Sequence, residues 1–337
     1  MKPVDDIEKI AVIGAGVMGH GIAEVYALNG YDVCLMDVTD STLERAIRMI
    51  GAELKTMLRA RLISKRKSQA ALKRLSTTTS LQEAAECCDF VTEAVAEDLT
   101  LKKQTFANLE RYAGDDVILA SNTSGLMIST ISEGLRRPER VIGTHFSVPP
   151  HIVPGVEIIR GRETSDRTFQ IAYDLIKNIG KVPFVVKREI EGYILNRLQF
   201  ALAREAFNLV EKGVATPEDV DICLNSVLGF RWATVGPFRQ IDSAGIDTWA
   251  KVGGYLFASL SNSPEVPKAI IEKVAKGELG MKTRKGFYDY TQFGLEDVTR
   301  ERDEGFIKTL KLMRTLWKQD IGQIAKKNIR LIGEDPS

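Results

Sequence analysis

The chain has 337 residues, 44% hydrophobic and 27% charged, with 46 Lys and Arg against 45 Asp and Glu for a net charge of +1. This length exceeds a single ordinary core and suits two domains. The near balance of charge argues against a nucleic-acid polymer or a membrane surface as partner, and no apolar run approaches the roughly 20 residues that span a bilayer.

The opening stretch "MKPVDDIEKIAVIG" places acids ahead of a short strand-like run, a pattern unlike a secretory signal. "KIAVIGAG" reads as a buried strand, "VMGHGIAEVYALNG" as a helix and "DVCLMDV" as the next strand. "DFVTEAV", "VILASNTS" and "RVIGTHF" follow, separated by helix-like segments. That alternation predicts the α/β class, a doubly wound parallel sheet with helices on both faces. "VEIIRG" and "VPFVVK" are expected to close the sheet, after which the period becomes helical from "REIEGYILNRLQFALAREAFNLVEKG" onward. The boundary falls near Lys187 to Gly192, giving domains 1–188 and 189–337. The stretch after Tyr290 reads as charged and helical.

Between Lys55 and Arg74 the chain carries Lys55, Arg59, Arg61, Lys65, Arg66, Lys67, Lys73 and Arg74 and no acid. Two readings stand: a solvated helical hairpin, or an anion-binding surface, since clustered cations attract phosphates. Cys34, Cys87, Cys88 and Cys223 show no metal spacing, so reduced thiols in a cytoplasmic protein are expected, with no ligand cluster for a metal.

"VIGAGVMGHG" is a G-x-G-x-x-G pattern set between strand and helix. Gly14 permits the tight turn, Gly16 lets a pyrophosphate approach the backbone, and Gly19 lets helix and strand pack closely. The loop from Gly14 through Gly16, Val17 and Met18 to Gly19 is therefore assigned to a dinucleotide, whose phosphates meet the helix N-terminus. Asp37 ends the next strand, where a carboxylate accepts from the adenosine ribose and repels a 2′-phosphate, favouring NAD over NADP. His20 reads as a helix-start residue near the phosphates.

Oxidising an alcohol needs a base for the hydroxyl proton, and imidazole has the right unperturbed pKa. His145 lies at the C-terminal end of the strand "RVIGTHF", where open α/β sheets place their ligand crevice. Glu157 lies inside the apolar "VEIIRG", where an unpaired carboxylate is costly, so a histidine partner is expected unless this is an exposed edge strand. His151 sits among Pro149, Pro150 and Pro154 and reads as a loop residue facing substrate. The dyad is thus taken as His145 with Glu157.

Taken together, "IAVIGAGVMGHGIAEVYALNGYDVCLMD", "TEAVAEDLTLKKQTFANL", "ILASNTSGL", "RPERVIGTHF", "VEIIRG", "GYILNRL", "GPFRQIDSAGID" and "TRKGFYDY" resemble the 3-hydroxyacyl-CoA dehydrogenase family over nearly the whole chain. The resemblance implies a Rossmann-like NAD domain and an all-helical C-terminal domain that mediates homodimerisation. It implies that His145 and Glu157, as H-x11-E, form the catalytic pair. It also implies that Ser124 and Asn196 bind the reacting oxygen, and that Asp37, Glu97 and Lys102 contact the cofactor. Hydroxyl and amide groups suit a forming carbonyl oxygen.

Two segments depart from the family. Val148 replaces the asparagine of HFxNP, removing an amide near nicotinamide and substrate. Arg231 and Trp232 stand where fatty-acyl-CoA enzymes carry a small or aromatic residue. With the PPH loop, that arginine resembles relatives acting on small free hydroxy acids: the L-gulonate 3-dehydrogenase/lambda-crystallin, carnitine dehydrogenase and pyridoxine-degradation branches. A guanidinium suits a carboxylate, and a structural ion pair is the other reading of Arg231. The expected activity is NAD-dependent oxidation of a 3-hydroxyacyl-CoA, supported by the basic stretch 55–74. The alternative is the same chemistry on a small free 3-hydroxy acid, and a non-enzymatic crystallin role is disfavoured by the intact site residues.

Overall fold

The computed structural model describes residues 1–318. Eight strands form one sheet in the order β3-β2-β1-β4-β5-β6-β7-β8. They are β1 Lys9–Ile13, β2 Asp32–Met36, β3 Leu75–Thr78, β4 Phe90–Glu93, β5 Ile118–Ser121, β6 Val141–Phe146, β7 Gly155–Ile159 and β8 Val182–Val186. The helices between them are α1 Gly19–Leu28, α2 Asp40–Arg59, α3 Lys65–Lys73, α4 Leu81–Glu86, α5 Leu99–Tyr112, the single turn α6 Ile128–Ile131 and α7 Asp166–Asn178.

Strands β4, β5 and β6 are buried at every residue, and β1 at all but Lys9. Continuous burial is what apolar β-branched runs give when both faces of a parallel sheet are covered. One core layer joins Ile22 and Tyr26 of α1 to Leu35, Phe90 and Ile142, and the other packs Phe106 and Leu109 of α5 against Val91, Leu119 and Ile159. Every residue of α1 is buried, including His20 and Glu24. Side-chain oxygens of Thr39, Ser64, Asp98 and Ser165 cap α2, α3, α5 and α7, accepting from backbone N–H groups of their first turns.

The structure departs from the sequence reading at two strands. Strand β3, from "LSTT", was not expected, because four residues with only partial burial carry no apolar run. Strand β7 runs antiparallel to β6, pairing His145 directly with Glu157, while β8 is parallel to β7. The loop 147–154 between β6 and β7 holds no helix, and a parallel return would need a crossover of a dozen or more residues. The first compact unit runs through Arg197 and the second begins at Leu198, a few residues beyond the stretch 187–192 where the sequence changes period. Residues 189–196 hydrogen-bond into the first unit: Glu189 accepts from Ser129 N, Glu157 accepts from Ile194 N and Leu195 N, and Asn196 donates to Ser124 O.

The basic stretch is the helical hairpin of α2 and α3, and all eight of its cations are exposed. Helix α8 spans Leu195–Glu211. Beyond it come α9 Pro217–Cys223, a π-helical turn Leu224–Gly229, α10 Phe230–Trp232, α11 Pro237–Ala244, α12 Ile246–Ser259, α13 Lys268–Ala275 and α14 Leu295–Lys318. The second unit is helical as expected. The helical reading after Tyr290 holds through α14, and its remainder lies outside the described residues. The cysteines are free thiols, and no described helix is long and apolar enough to cross a membrane.

Gly143 of β6 has no room for a side chain, because a Cβ there would sit 2.9 Å from Ile159 Cβ and 3.0 Å from Ile128 Cδ1. Gly143→Ala is expected to lower stability by about 1–3 kcal/mol through overpacking, read as an earlier denaturant midpoint. An unchanged midpoint would contradict this packing.

Candidate active site

The glycine loop leaves β1 at Gly14, whose φ of 101° is in the left-handed region that favours glycine. Its N–H donates to Met36 O at 2.8 Å, and a Cβ would lie 2.6 Å from Ala94 O. At Gly19 a Cβ would lie 1.6 Å from Gly14 O, whereas at Gly16 it would meet nothing within 4 Å. Two glycines thus serve close packing, and the third leaves open space where a pyrophosphate can reach backbone N–H groups at the start of α1. Val17 is exposed and Met18 half-buried on the same loop. Asp37 Oδ2 accepts from Ala15 N at 2.7 Å and Oδ1 from Val38 N at 2.8 Å, which fixes the carboxylate beside the loop. These residues fit a dinucleotide without a 2′-phosphate.

The loop after β5 carries Asn122, Thr123 and Ser124. Asn122 Oδ1 accepts from Phe146 N at 2.8 Å, tying this loop to the end of β6. Glu97 Oε1 accepts from Thr123 Oγ1 at 2.5 Å and from Ser124 N at 2.8 Å. Burial opposes ionisation of Glu97, but the Thr123 hydrogen bond and the Lys102 charge outweigh it and hold the carboxyl below its usual range. Lys102 is buried, its Nζ 2.6 Å from Glu93 Oε1 and 3.4 Å from Glu97 Oε2. Glu93, wholly buried in β4, also accepts from Ser121 Oγ at 2.6 Å and Val95 N at 2.8 Å. The sequence reading missed Glu93, although its signal is that of Glu157, an acid inside an apolar strand.

His145 Nδ1 lies 2.6 Å from Glu157 Oε2. Their direct pairing across β6 and β7 puts both side chains on one face of the sheet. Strand β7 lies between β6 and β8, so Glu157 is fully buried rather than on an exposed edge. Its other oxygen, Oε1, accepts from Ile194 N at 3.0 Å and Leu195 N at 2.9 Å, the start of α8, where the helix dipole favours a negative charge. With Nδ1–H donating to Glu157, His145 Nε2 is the unprotonated nitrogen and can act as base.

Asn196 Nδ2 donates to Ser124 O at 2.7 Å, which brings together the two residues expected to hold the reacting oxygen. Tyr193, at φ 51°, occupies a conformation unusual for a bulky residue. Its hydroxyl donates to Leu126 O, and its buried ring lies 6.2 Å from that of His145. The chain is thereby turned from β8 into α8 so that Glu157 and Asn196 meet the site.

One expectation is revised. His151 is buried, with Nδ1 3.6 Å from Glu53 Oε2 and 3.9 Å from Glu24 Oε2, so it turns onto α1 and α2 rather than outward to substrate. Glu24, Glu53 and His151, far apart in sequence, converge in the folded chain. His20 is in the first turn of α1 as expected, Nδ1 2.7 Å from Gly16 O. Arg231 lies in the second unit, exposed, its Nε donating to Val227 O at 3.3 Å, with no ion pair among the described residues.

A doubly wound sheet with a dinucleotide loop and a carboxylate-oriented histidine defines a nicotinamide-dependent dehydrogenase. The family model for the 3-hydroxyacyl-CoA dehydrogenase NAD-binding domain matches residues 9–190, and that for its C-terminal domain matches 192–290. The chain belongs to this family and is an NAD-dependent dehydrogenase acting on CH–OH. It is 35% identical over 91% of its length to a 5-formyl-3-hydroxy-2-methylpyridine 4-carboxylate 5-dehydrogenase of Mesorhizobium japonicum, covering 98% of that protein. A solved enzyme of that activity, described as an NAD+-dependent dismutase, superposes with a TM-score of 0.85 at 35% identity over 91% of this chain and 99% of its own. The (S)-3-hydroxybutyryl-CoA dehydrogenase of Ralstonia eutropha gives 0.69 at 31% identity, covering 85% and 100%.

His145→Gln is expected to lower kcat by about 10²–10⁴-fold while NAD affinity persists. Glu157→Gln turns an NH2 toward Nδ1, favours the wrong tautomer and should act similarly. Unchanged turnover in either variant would refute the dyad. Asp37→Asn should weaken NAD binding and narrow the preference over NADP, measured by cofactor fluorescence titration, and an unaltered ratio of the two affinities would remove Asp37 from that role.

Proposed function

We propose that the protein oxidises a hydroxyl-bearing carbon on a small carboxylate-containing substrate, with His145 as base. The observation that carries the reaction is the buried contact between His145 Nδ1 and Glu157 Oε2. Ser124 and Asn196 hold the substrate oxygen, His145 Nε2 takes its proton, and Glu157 stabilises the imidazolium. When bound, NAD supplies the hydride acceptor. Asp37 and the loop from Gly14 to Gly19 hold the cofactor, with Glu97 and Lys102 at the loop that carries Ser124.

The substrate class rests on Arg231, exposed and without an ion pair among the described residues, and on Val148 in place of the family asparagine. It rests also on the likeness to an enzyme of nearly the same length whose named substrate carries a carboxylate. That substrate also carries a formyl group, and a hydrated formyl presents a CH–OH to the same base. A 3-hydroxyacyl-CoA is the second reading, favoured by the eight exposed cations of the α2–α3 hairpin, which suit CoA phosphates. The protein acts as a homodimer in this proposal. Phe200, Phe230, Phe238, Tyr255 and Phe257 of the second unit are each at least 69% exposed in the single chain, an apolar surface that a second copy would cover.

NAD reduction should be faster with a free hydroxy or formyl carboxylate (3-hydroxybutyrate, L-gulonate, L-carnitine, a formylpyridine carboxylate) than with 3-hydroxybutyryl-CoA. The opposite preference moves the assignment to the thioester. Arg231→Ala should raise KM for the preferred acid by about 10–100-fold, the worth of a charged hydrogen-bonded pair. Light scattering should give the mass of two chains, and a monomer would overturn the assembly.

A further inference from the structure

A second buried polar cluster takes no part in the chemistry above. Glu24 lies within α1, wholly buried; no N–H or hydroxyl among the described residues donates to its carboxyl, which shares a hydrogen bond with the facing carboxyl of Glu53. Stranding such a group away from water is costly unless charge compensates it. Glu53 of α2 and His151 of the loop 147–154 face it, and one ligand-capable atom from each of the three lies within 4.8 Å of the others. The remaining Glu53 oxygen pairs with His20 Nε2 at 3.0 Å.

Gly21 lets the loop come this close. A Cβ there would meet Pro150 Cγ at 2.6 Å and lie 3.7 Å from His151 Nδ1. Two facing carboxylates in a buried place call for a positive charge between them. Burial, and then the facing Glu53, push the Glu24 carboxyl well up, so a proton is one candidate occupant. Lys181 also acts on Glu24, although its Nζ donates to the carbonyls of Pro150 and Val153.

We propose that Glu24, Glu53 and His151 bind one divalent cation of the zinc or manganese kind, and that the ion fastens the loop 147–154 to α1. Two carboxylates with an imidazole are a donor set for such ions. His20 supplies the outer hydrogen bond that orients a ligating carboxylate. The Glu53 side chain, 18% exposed, marks the way in. The site ties the loop that follows the catalytic strand to the helix that opens the cofactor loop.

The test uses the full chain, stripped with chelator and titrated with zinc and then manganese, followed by calorimetry, by metal content after dialysis and by Tm. Wild type should take up one ion per chain with a rise in Tm, as any ligand of the folded state produces. Glu24→Gln keeps the shape of a carboxyl whose charged form burial disfavours, so it should fold with an undiminished Tm and lose both the ion and the rise. His20→Gln should weaken binding by about 10–100-fold. Retention of no stoichiometric ion by wild type would overturn the proposal and assign the place to a shared proton. Binding to Glu24→Gln as tight as to wild type would overturn it too, by placing the metal on another group such as the exposed Cys87.

Discussion

A carboxylate without access to water, that of Glu157, organises the active site. Its burial is sustained by three donors: His145 Nδ1 and the N–H groups of Ile194 and Leu195. Losing any of them would leave a buried charge short of a partner, at a cost of a few kcal/mol in a fold whose net stability is of order 10 kcal/mol. The same oxygens therefore hold three things in register: the tautomer of the base, the antiparallel pairing of β6 with β7, and the start of α8 with Asn196. Chemistry and architecture share one contact here, because a group that orients an imidazolium must itself be immobile.

The cofactor side follows a similar rule. Glu93, buried in β4, holds Lys102 and Ser121, while Glu97 holds the backbone of Ser124 and the Thr123 hydroxyl. Acids placed at the C-terminal ends of parallel strands or just beyond them thus serve mainly to fix loops. Gly16 stands apart from this packing, with open space where Gly14 and Gly19 have backbone atoms in contact distance. The loop is tight where it must be rigid and open where a phosphate must approach.

The proline-rich loop between the dyad partners joins the two regions. It spans from one end of the His145–Glu157 pair to the other, yet its own histidine turns to α1 and α2 and not to the reaction. Val148, 53% exposed, is the most open side chain of the same loop. The loop is anchored on one side by buried polar groups and open to solvent on the other at Val148.

Much of this was legible in the chain itself. The strand and helix alternation, the glycine spacing, Asp37 after the second strand and the acid at Glu157 are local patterns, and local sterics and burial costs suffice to read them. What the tertiary structure decided concerns partners distant in sequence. It set the reversed direction of β7, the inclusion of residues 189–197 in the first unit, the strand Leu75–Thr78, and the turn of His151 toward Glu24 and Glu53. None of these has a periodic signature, because each follows from which elements become neighbours when two sheet faces are covered. A histidine in a loop advertises its chemistry but not its direction, whereas a carboxylate within an apolar strand can be satisfied in few ways, and that is why the dyad was readable and the second cluster was not.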